Sequence, residues 1–201
     1  MRNTNTNEVM TSIYFHGFNS APNPESSKIK ELEKLGAVEF IRYNSFDSYD
    51  AIFESIESQL DQLIESDKSL DFLLIGTSLG GFWAATMSAH TGLAAVLINP
   101  SINPANSLER YVGIEFVNYV TGSTDRMEAH VPSTYYPIPP FGTFIVLLDK
   151  GDDVFDEAKT RYKFKENVPV ISFAGGSHRF EHMKEALPSI KKFYNQVLTT
   201  A

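Results

Sequence analysis

The sequence predicts an α/β domain with a compact, mainly parallel sheet of about six strands flanked by helices. Three observations carry that expectation. Short apolar runs alternate with helical patterns along the 201 residues, as βαβ units require. The runs are near-continuous in apolar character, the mark of strands covered on both faces. Apolar (42%) and charged (21%) fractions are those of a globular chain, and the length suits one domain over 1–201 with a full core.

Ile13-Tyr14-Phe15 reads as a buried strand that stops at His16-Gly17. Pro24 to Lys34 reads as a helix with Asn23 as its cap, because proline fits a first helical turn. Val38–Ile41 is a second strand. Asp50 to Glu65 carries Ile52, Phe53, Ile56, Leu60, Leu63 and Ile64 at spacings of three and four, an amphipathic helix with one buried face. Phe72–Ile75 is a third strand and leads through a glycine-rich turn into an apolar helix, Phe82 to His90. Further strands are expected at Ala94–Ile98, Thr143–Leu148 and Val168–Phe173. Helices are expected at Phe155–Lys165 and Phe180–Val197.

The rhythm breaks between Asn99 and Gly142, where no strand-like run is found. That stretch holds Pro100, Pro104, Pro132, Pro137, Pro139 and Pro140, and the aromatics Tyr111, Phe116, Tyr119, Tyr135, Tyr136 and Phe141. Connections this long inside a compact domain are often lids or binding loops, so a lid or pocket wall is expected at about 101–141.

Formal charge is -8, and no basic cluster is legible along the chain. Such a balance excludes an ordinary nucleic-acid binder, which needs clustered Lys and Arg. There is no cysteine, hence no disulfide framework, thiolate nucleophile or Cys-held metal. Met1 to Met10 is polar and lacks the apolar core of a signal peptide. No apolar run approaches a membrane span. The expectation is a cytoplasmic protein that uses no metal and no organic cofactor.

Gly76-Thr77-Ser78-Leu79-Gly80-Gly81 carries the Gly-x-Ser-x-Gly pattern of a nucleophile elbow. A strand must turn sharply into a helix while holding the serine in a strained conformation, and side chains at 76 and 80 would collide with the neighbouring elements. The apolar strand before the pattern and the apolar helix after it supply the required context. A nucleotide-binding loop would show GxGxxG, or a lysine after the glycines, and neither is present.

A serine nucleophile needs a base. His178, in Gly175-Gly176-Ser177-His178 after the last strand, is expected at the carboxyl edge of the sheet beside the elbow. His90 ends the helix after the elbow, His130 lies in the insert, and His16 braces the loop after the first strand. His182 is a surface or supporting group; no Glu follows His178, so an HExxH zinc pattern is absent. The histidine in turn needs a carboxylate to hold its tautomer. Asp149, Asp152, Asp153 and Asp156 all follow the fifth strand closely enough. The order Ser, Asp, His along the chain matches the α/β-hydrolase fold. The expected oxyanion donors are the N–H groups of Leu79, at the start of the helix, and of Phe18, in the loop after the first strand. Asn19, Tyr135 and Tyr136 are the candidate substrate-binding residues. An aspartate-dependent dehalogenase is excluded by serine at position 78.

Together these segments resemble the YqiA/YcfP family of small bacterial esterases of the α/β-hydrolase superfamily. The marks are Ile13-Tyr14-Phe15-His16-Gly17-Phe18-Asn19-Ser20, the elbow, Asn99-Pro100-Ser101-Ile102-Asn103-Pro104, Gly151-Asp152-Asp153-Val154 and Gly175-Gly176-Ser177-His178-Arg179-Phe180, in this order along nearly the whole chain. The resemblance places the acid at Asp152, which precedes an acidic and an aliphatic residue. It implies hydrolysis of a small acyl ester or thioester through an acyl-enzyme on Ser78, Asp152 and His178. The chain departs from the family between about Arg126 and Gly142, in the expected pocket wall. Two rival functions stand beside hydrolysis: a non-catalytic hydrolase-like binding protein, and an acyltransferase that uses the same triad.

Overall fold

A computed structural model describes residues 10–66, 71–164 and 168–200. The element order is β1 (Thr11–Phe15), α1 (Ser27–Leu32), β2 (Val38–Ile41), α2 (Tyr49–Ser66), β3 (Phe72–Thr77), α3 (Leu79–Thr91), β4 (Ala94–Ile98), α4 (Pro104–Glu109), β5 (Glu115–Val117), β6 (Thr124–Arg126), β7 (Phe144–Asp149), α5 (Glu157–Phe164), β8 (Val170–Phe173) and α6 (Met183–Thr200). β2, β1, β3, β4, β7 and β8 form a six-stranded sheet in that spatial order. Every adjacent pair in it is parallel.

Alternating side chains bury both faces. Ile13, Phe15, Leu74, Leu97, Val146 and Leu148 pack with α2, α3 and Phe164 of α5. Tyr14, Leu73, Ile75, Val96, Ile98 and Leu147 pack with Ile29 and Leu32 of α1 and Met183, Ala186, Ile190 and Tyr194 of α6. A strand buried on both sides has no polar face to show, which is why these runs read as continuous apolar sequence. The strand order reverses direction between β1 and β3, so a crevice opens at their carboxyl ends. The loop after Phe15 and the elbow after Thr77 line it.

Several element starts differ from the sequence expectation. α1 begins at Ser27, because Ser26, not Asn23, supplies the cap: its Oγ accepts from Ile29 N at 3.3 Å. Asn23 instead closes a turn, its Oδ1 accepting from Glu25 N at 3.1 Å. α5 begins at Glu157 because Asp156 Oδ1 accepts from Ala158 N (2.8 Å) and Lys159 N (3.2 Å); Lys165 lies outside the described residues. α6 begins at Met183, since Phe180 holds φ at 61°, outside the helical region. Between β4 and β7 the expected strandless insert carries α4, the short antiparallel pair β5–β6 and a 3-10 turn, Pro132–Thr134. Strands of three residues with few apolar positions leave too weak a period to read. No helix among the described residues is long and apolar enough to cross a membrane.

Candidate active site

Ser78 sits between β3 and α3 at φ 60° and ψ -121°, a region that a residue with a side chain rarely occupies. The two flanking glycines make the turn sterically feasible. A methyl group on Gly76 would lie 1.9 Å from Gly80 O, and one on Gly80 would lie 2.1 Å from Phe15 O. The chain can therefore cross β1 and re-enter α3 only with hydrogen at both positions.

His178 reaches this serine from the loop after β8. Its Nε2 is 2.9 Å from Ser78 Oγ, across 100 residues of sequence. Its Nδ1 is 2.9 Å from Asp152 Oδ2 and 3.1 Å from Oδ1. Asp152 Oδ1 also accepts from Val154 N (2.8 Å) and Phe155 N (3.0 Å). Burial opposes the charged carboxylate, but the bonds from His178, Phe155 and Val154 outweigh it and hold Asp152 below the ordinary carboxylate range. The Phe155 ring stands edge-on to the imidazole at 4.9 Å. Of the other acids considered, Asp153 is exposed and Asp156 caps α5.

Asp149 and His182 form a second, adjacent pair. Asp149 is fully buried at the end of β7, and it accepts from His182 Nδ1 (2.7 Å), Glu181 N (2.8 Å) and Ser177 N (3.2 Å). Gly176 must be a glycine here, since a methyl would fall 1.9 Å from Asp149 Oδ2. Asn99 completes the clamp: its Oδ1 accepts from Asp149 N at 2.9 Å, and its Nδ2 donates to Ser177 O (3.0 Å) and His178 O (3.2 Å). The loop that carries His178 is thus pinned to β4 and β7 on both sides of the imidazole. Sequence pointed to Asp149 only as one of four alternative acids, and Asn99 only as the start of a motif.

The remaining expected residues divide. Phe18 and Leu79 line the cleft with Ser78 and His178. Leu79 is the first residue of α3, so its N–H has no carbonyl one turn earlier. His16 is buried; its Nδ1 lies 2.9 Å from Gly17 O, and its Nε2 accepts from Tyr43 N at 3.5 Å. Tyr43 OH donates to His16 O, and the two rings stack at 4.2 Å. Burial lowers the His16 pKa to about 4, so the ring is a neutral brace for the loop. Asn19 lines the cleft at φ 42°, with its N–H on Ser45 Oγ and its Oδ1 buried without a hydrogen-bond partner.

Tyr135 and Tyr136 do not line the cleft, which corrects the expectation that they wall it. Tyr135 is 5% exposed among Tyr49, Phe82 and Trp83, filling the core beneath the insert. Tyr136 is 65% exposed on the outside, edge-on to Tyr49. The insert reaches the cleft through earlier residues, Ser101, Ser107, Leu108, Tyr111 and Tyr119. Tyr111 stacks on Phe18 at 4.6 Å, with Phe116 at right angles to Phe18 at 5.7 Å. The cleft encloses about 1170 Å³. No cluster of three metal-ligating side chains occurs among the described residues.

Comparison with known structures shows the α/β-hydrolase fold. Est1E from Butyrivibrio proteoclasticus matches with a TM-score of 0.72 at 14% identity, over 97% of this chain and 90% of that one. Mouse alpha/beta hydrolase domain-containing protein 10 matches at 0.65 and 14%, over 93% and 90%. In sequence, a UPF0227 protein of Vibrio parahaemolyticus is 24% identical over 186 residues, covering 91% of this chain and 98% of its own. One from Yersinia enterocolitica is 24% identical over 187 residues, covering 90% and 97%. The family model described as "Uncharacterised protein family (UPF0227)" matches residues 11–195, and with that span the chain belongs to the UPF0227 family, of the YqiA/YcfP type.

Proposed function

We propose that this chain is a serine hydrolase that cleaves carboxylic ester or thioester bonds through an acyl-enzyme. The observation that carries the reading is the array of Ser78 Oγ, the His178 ring and Asp152, with both contacts at 2.9 Å. Asp152 holds the proton of His178 on Nδ1, which leaves the Nε2 lone pair facing the serine. Nε2 takes the hydroxyl proton as Oγ attacks the acyl carbon. The oxyanion that forms is met by the N–H groups of Leu79 and Phe18. Nε2–H then protonates the departing alcohol or thiol, and water, activated by the same nitrogen, releases the acid. The esterase names of fold neighbours, such as Est1E and the Pyrobaculum calidifontis esterase, agree with this reading.

The test is labelling by an alkyl fluorophosphonate together with turnover of a short activated ester. Both should be lost in folded Ser78→Ala, and EDTA should leave turnover unchanged. A wild-type protein inert to both reagents would favour a binding role. Ester or thioester exchange with added alcohols or thiols that outpaces hydrolysis would favour acyl transfer.

A further inference from the structure

Beside the serine, the cleft holds a cation without a carboxylate of its own. Lys28, on α1, lines the cleft, and its Nζ donates to Thr77 Oγ1 at 3.3 Å. Thr77 immediately precedes Ser78, and its Oγ1 is also bonded to Tyr14 OH at 2.9 Å. Among the described residues no carboxylate oxygen lies within 4.0 Å of Lys28 Nζ. An ammonium has three donors, and only one is engaged here. Partial burial lowers the Lys28 pKa to about 8, resisted by Asp149 and reinforced by Arg179, so near neutral pH the half-buried ammonium is charged and open to the cleft.

Arg179 and Lys184 line the same cleft, both exposed and without an ion pair among the described residues. Two acids also line it, Glu31 and Glu181; Glu31 Oε1 is taken by Lys34 at 2.6 Å, while its Oε2 is buried without a hydrogen-bond partner. On a chain of net charge -8, a cleft lined by three cations against two acids runs counter to the overall balance. Another part of the lining, Phe18, Leu108 and Tyr111, is apolar.

We propose that Lys28, with Arg179 beside it, forms a subsite for an anionic group, a carboxylate or phosphate, carried by the ester or thioester substrate. The inference rests on the hydrolase reading above and gives that site its substrate class. Because Lys28 touches the residue next to Ser78, the anion lies only a few bonds from the scissile carbonyl, with the apolar part of the substrate against Phe18 and Tyr111.

The experiment compares kcat/KM for three activated esters: p-nitrophenyl butyrate, the mono-p-nitrophenyl ester of glutaric acid, and an aryl butyrate with a phosphate on its ring. At least one anionic ester should be preferred over the neutral one by about tenfold, the size of a charge-assisted hydrogen bond. Preference for the glutarate ester puts the anion on the acyl side, and preference for the phosphorylated ring puts it on the leaving group. Lys28→Met should lower the ratio of anionic to neutral turnover about tenfold, and Lys28→Arg should retain most of it. Neutral preference in the wild type, or an unchanged ratio in Lys28→Met, overturns the proposal and leaves the hydrolase reading standing. If none of the esters is turned over, the hydrolase reading fails. The subsite is then read by calorimetric binding of glutarate and of inorganic phosphate, expected in the wild type and lost in Lys28→Met. Equal binding by both proteins, or none by either, overturns it.

Discussion

Replacing Asp152 with asparagine is the sharpest test of the proposed triad, because the structure dictates how the new amide must turn. Asp152 Oδ1 accepts from the backbone N–H groups of Val154 and Phe155. An asparagine must place its carbonyl oxygen there, since an NH2 group would face two donors. Its NH2 then faces His178 Nδ1, where Oδ2 now accepts. Nδ1 becomes an acceptor, the ring proton moves to Nε2, and Nε2 presents a hydrogen to Ser78 Oγ in place of a lone pair. The change is isosteric, so the fold should hold while the base is disabled. The expected fall in kcat is about ten-thousand-fold, or about 5 kcal/mol of barrier. The assay is turnover of a short activated ester by Asp152→Asn, Asp153→Asn and Asp156→Asn, each checked by circular dichroism. Asp153 faces solvent and Asp156 caps α5, where asparagine caps as well, so both should lose at most a few-fold. A folded Asp152→Asn with more than about a tenth of wild-type kcat would refute the tautomer argument.

Three further outcomes are expected. His16 has a folded pKa near 4 against an ordinary 6.5, so its stabilising contribution is complete above pH 6.5 and is lost as the pH falls through 4. The wild type should therefore lose about 3 kcal/mol more than His16→Asn between pH 7 and pH 4 in urea unfolding, and parallel curves would count against a buried neutral ring. Gly80→Ala puts a methyl 2.1 Å from Phe15 O and 2.5 Å from His16 O, so it should cost about 3 kcal/mol or prevent folding; an unchanged urea midpoint would disprove the close approach. Tyr135→Phe removes a buried hydroxyl without a partner, and should raise stability by about 1 kcal/mol while leaving the ester preference as it was. A shifted acyl-length profile in that variant would return Tyr135 to the pocket.

The six strands of the sheet and the elbow were legible because each is written in a contiguous stretch. Ala94–Ile98 is apolar from end to end and Val38–Ile41 is broken only by Glu39; they became β4 and β2 with those bounds. The elbow is a local steric requirement, so its glycines appear at fixed spacing around Ser78. Helix starts were less legible, since Asn23 and Ser26 are both good caps and only packing of Ile29 and Leu32 against α6 and the sheet selects the later one. The same holds for Tyr135 and Tyr136. Adjacent aromatics look alike in sequence, but one points into the core of Trp83 and Phe82 and the other into solvent.

By itself, then, the sequence determined the alternation of strand and helix and the glycine-flanked turn at Ser78, and it pointed to candidate acids and a histidine in that order after the serine, all properties of short segments whose chemistry is local. The tertiary structure decided what depends on distance between segments. It brought His178 within 2.9 Å of Ser78 across 100 residues. It separated four neighbouring aspartates into one at His178, one at His182, one exposed and one cap. And it gathered Lys28, Arg179 and Lys184, which no window of an acidic chain shows together, onto one cleft beside the serine. Charge converges there because the crossover after β1 and the loop after β8 meet at the carboxyl edge of the sheet, where parallel strands deliver residues from distant parts of the chain.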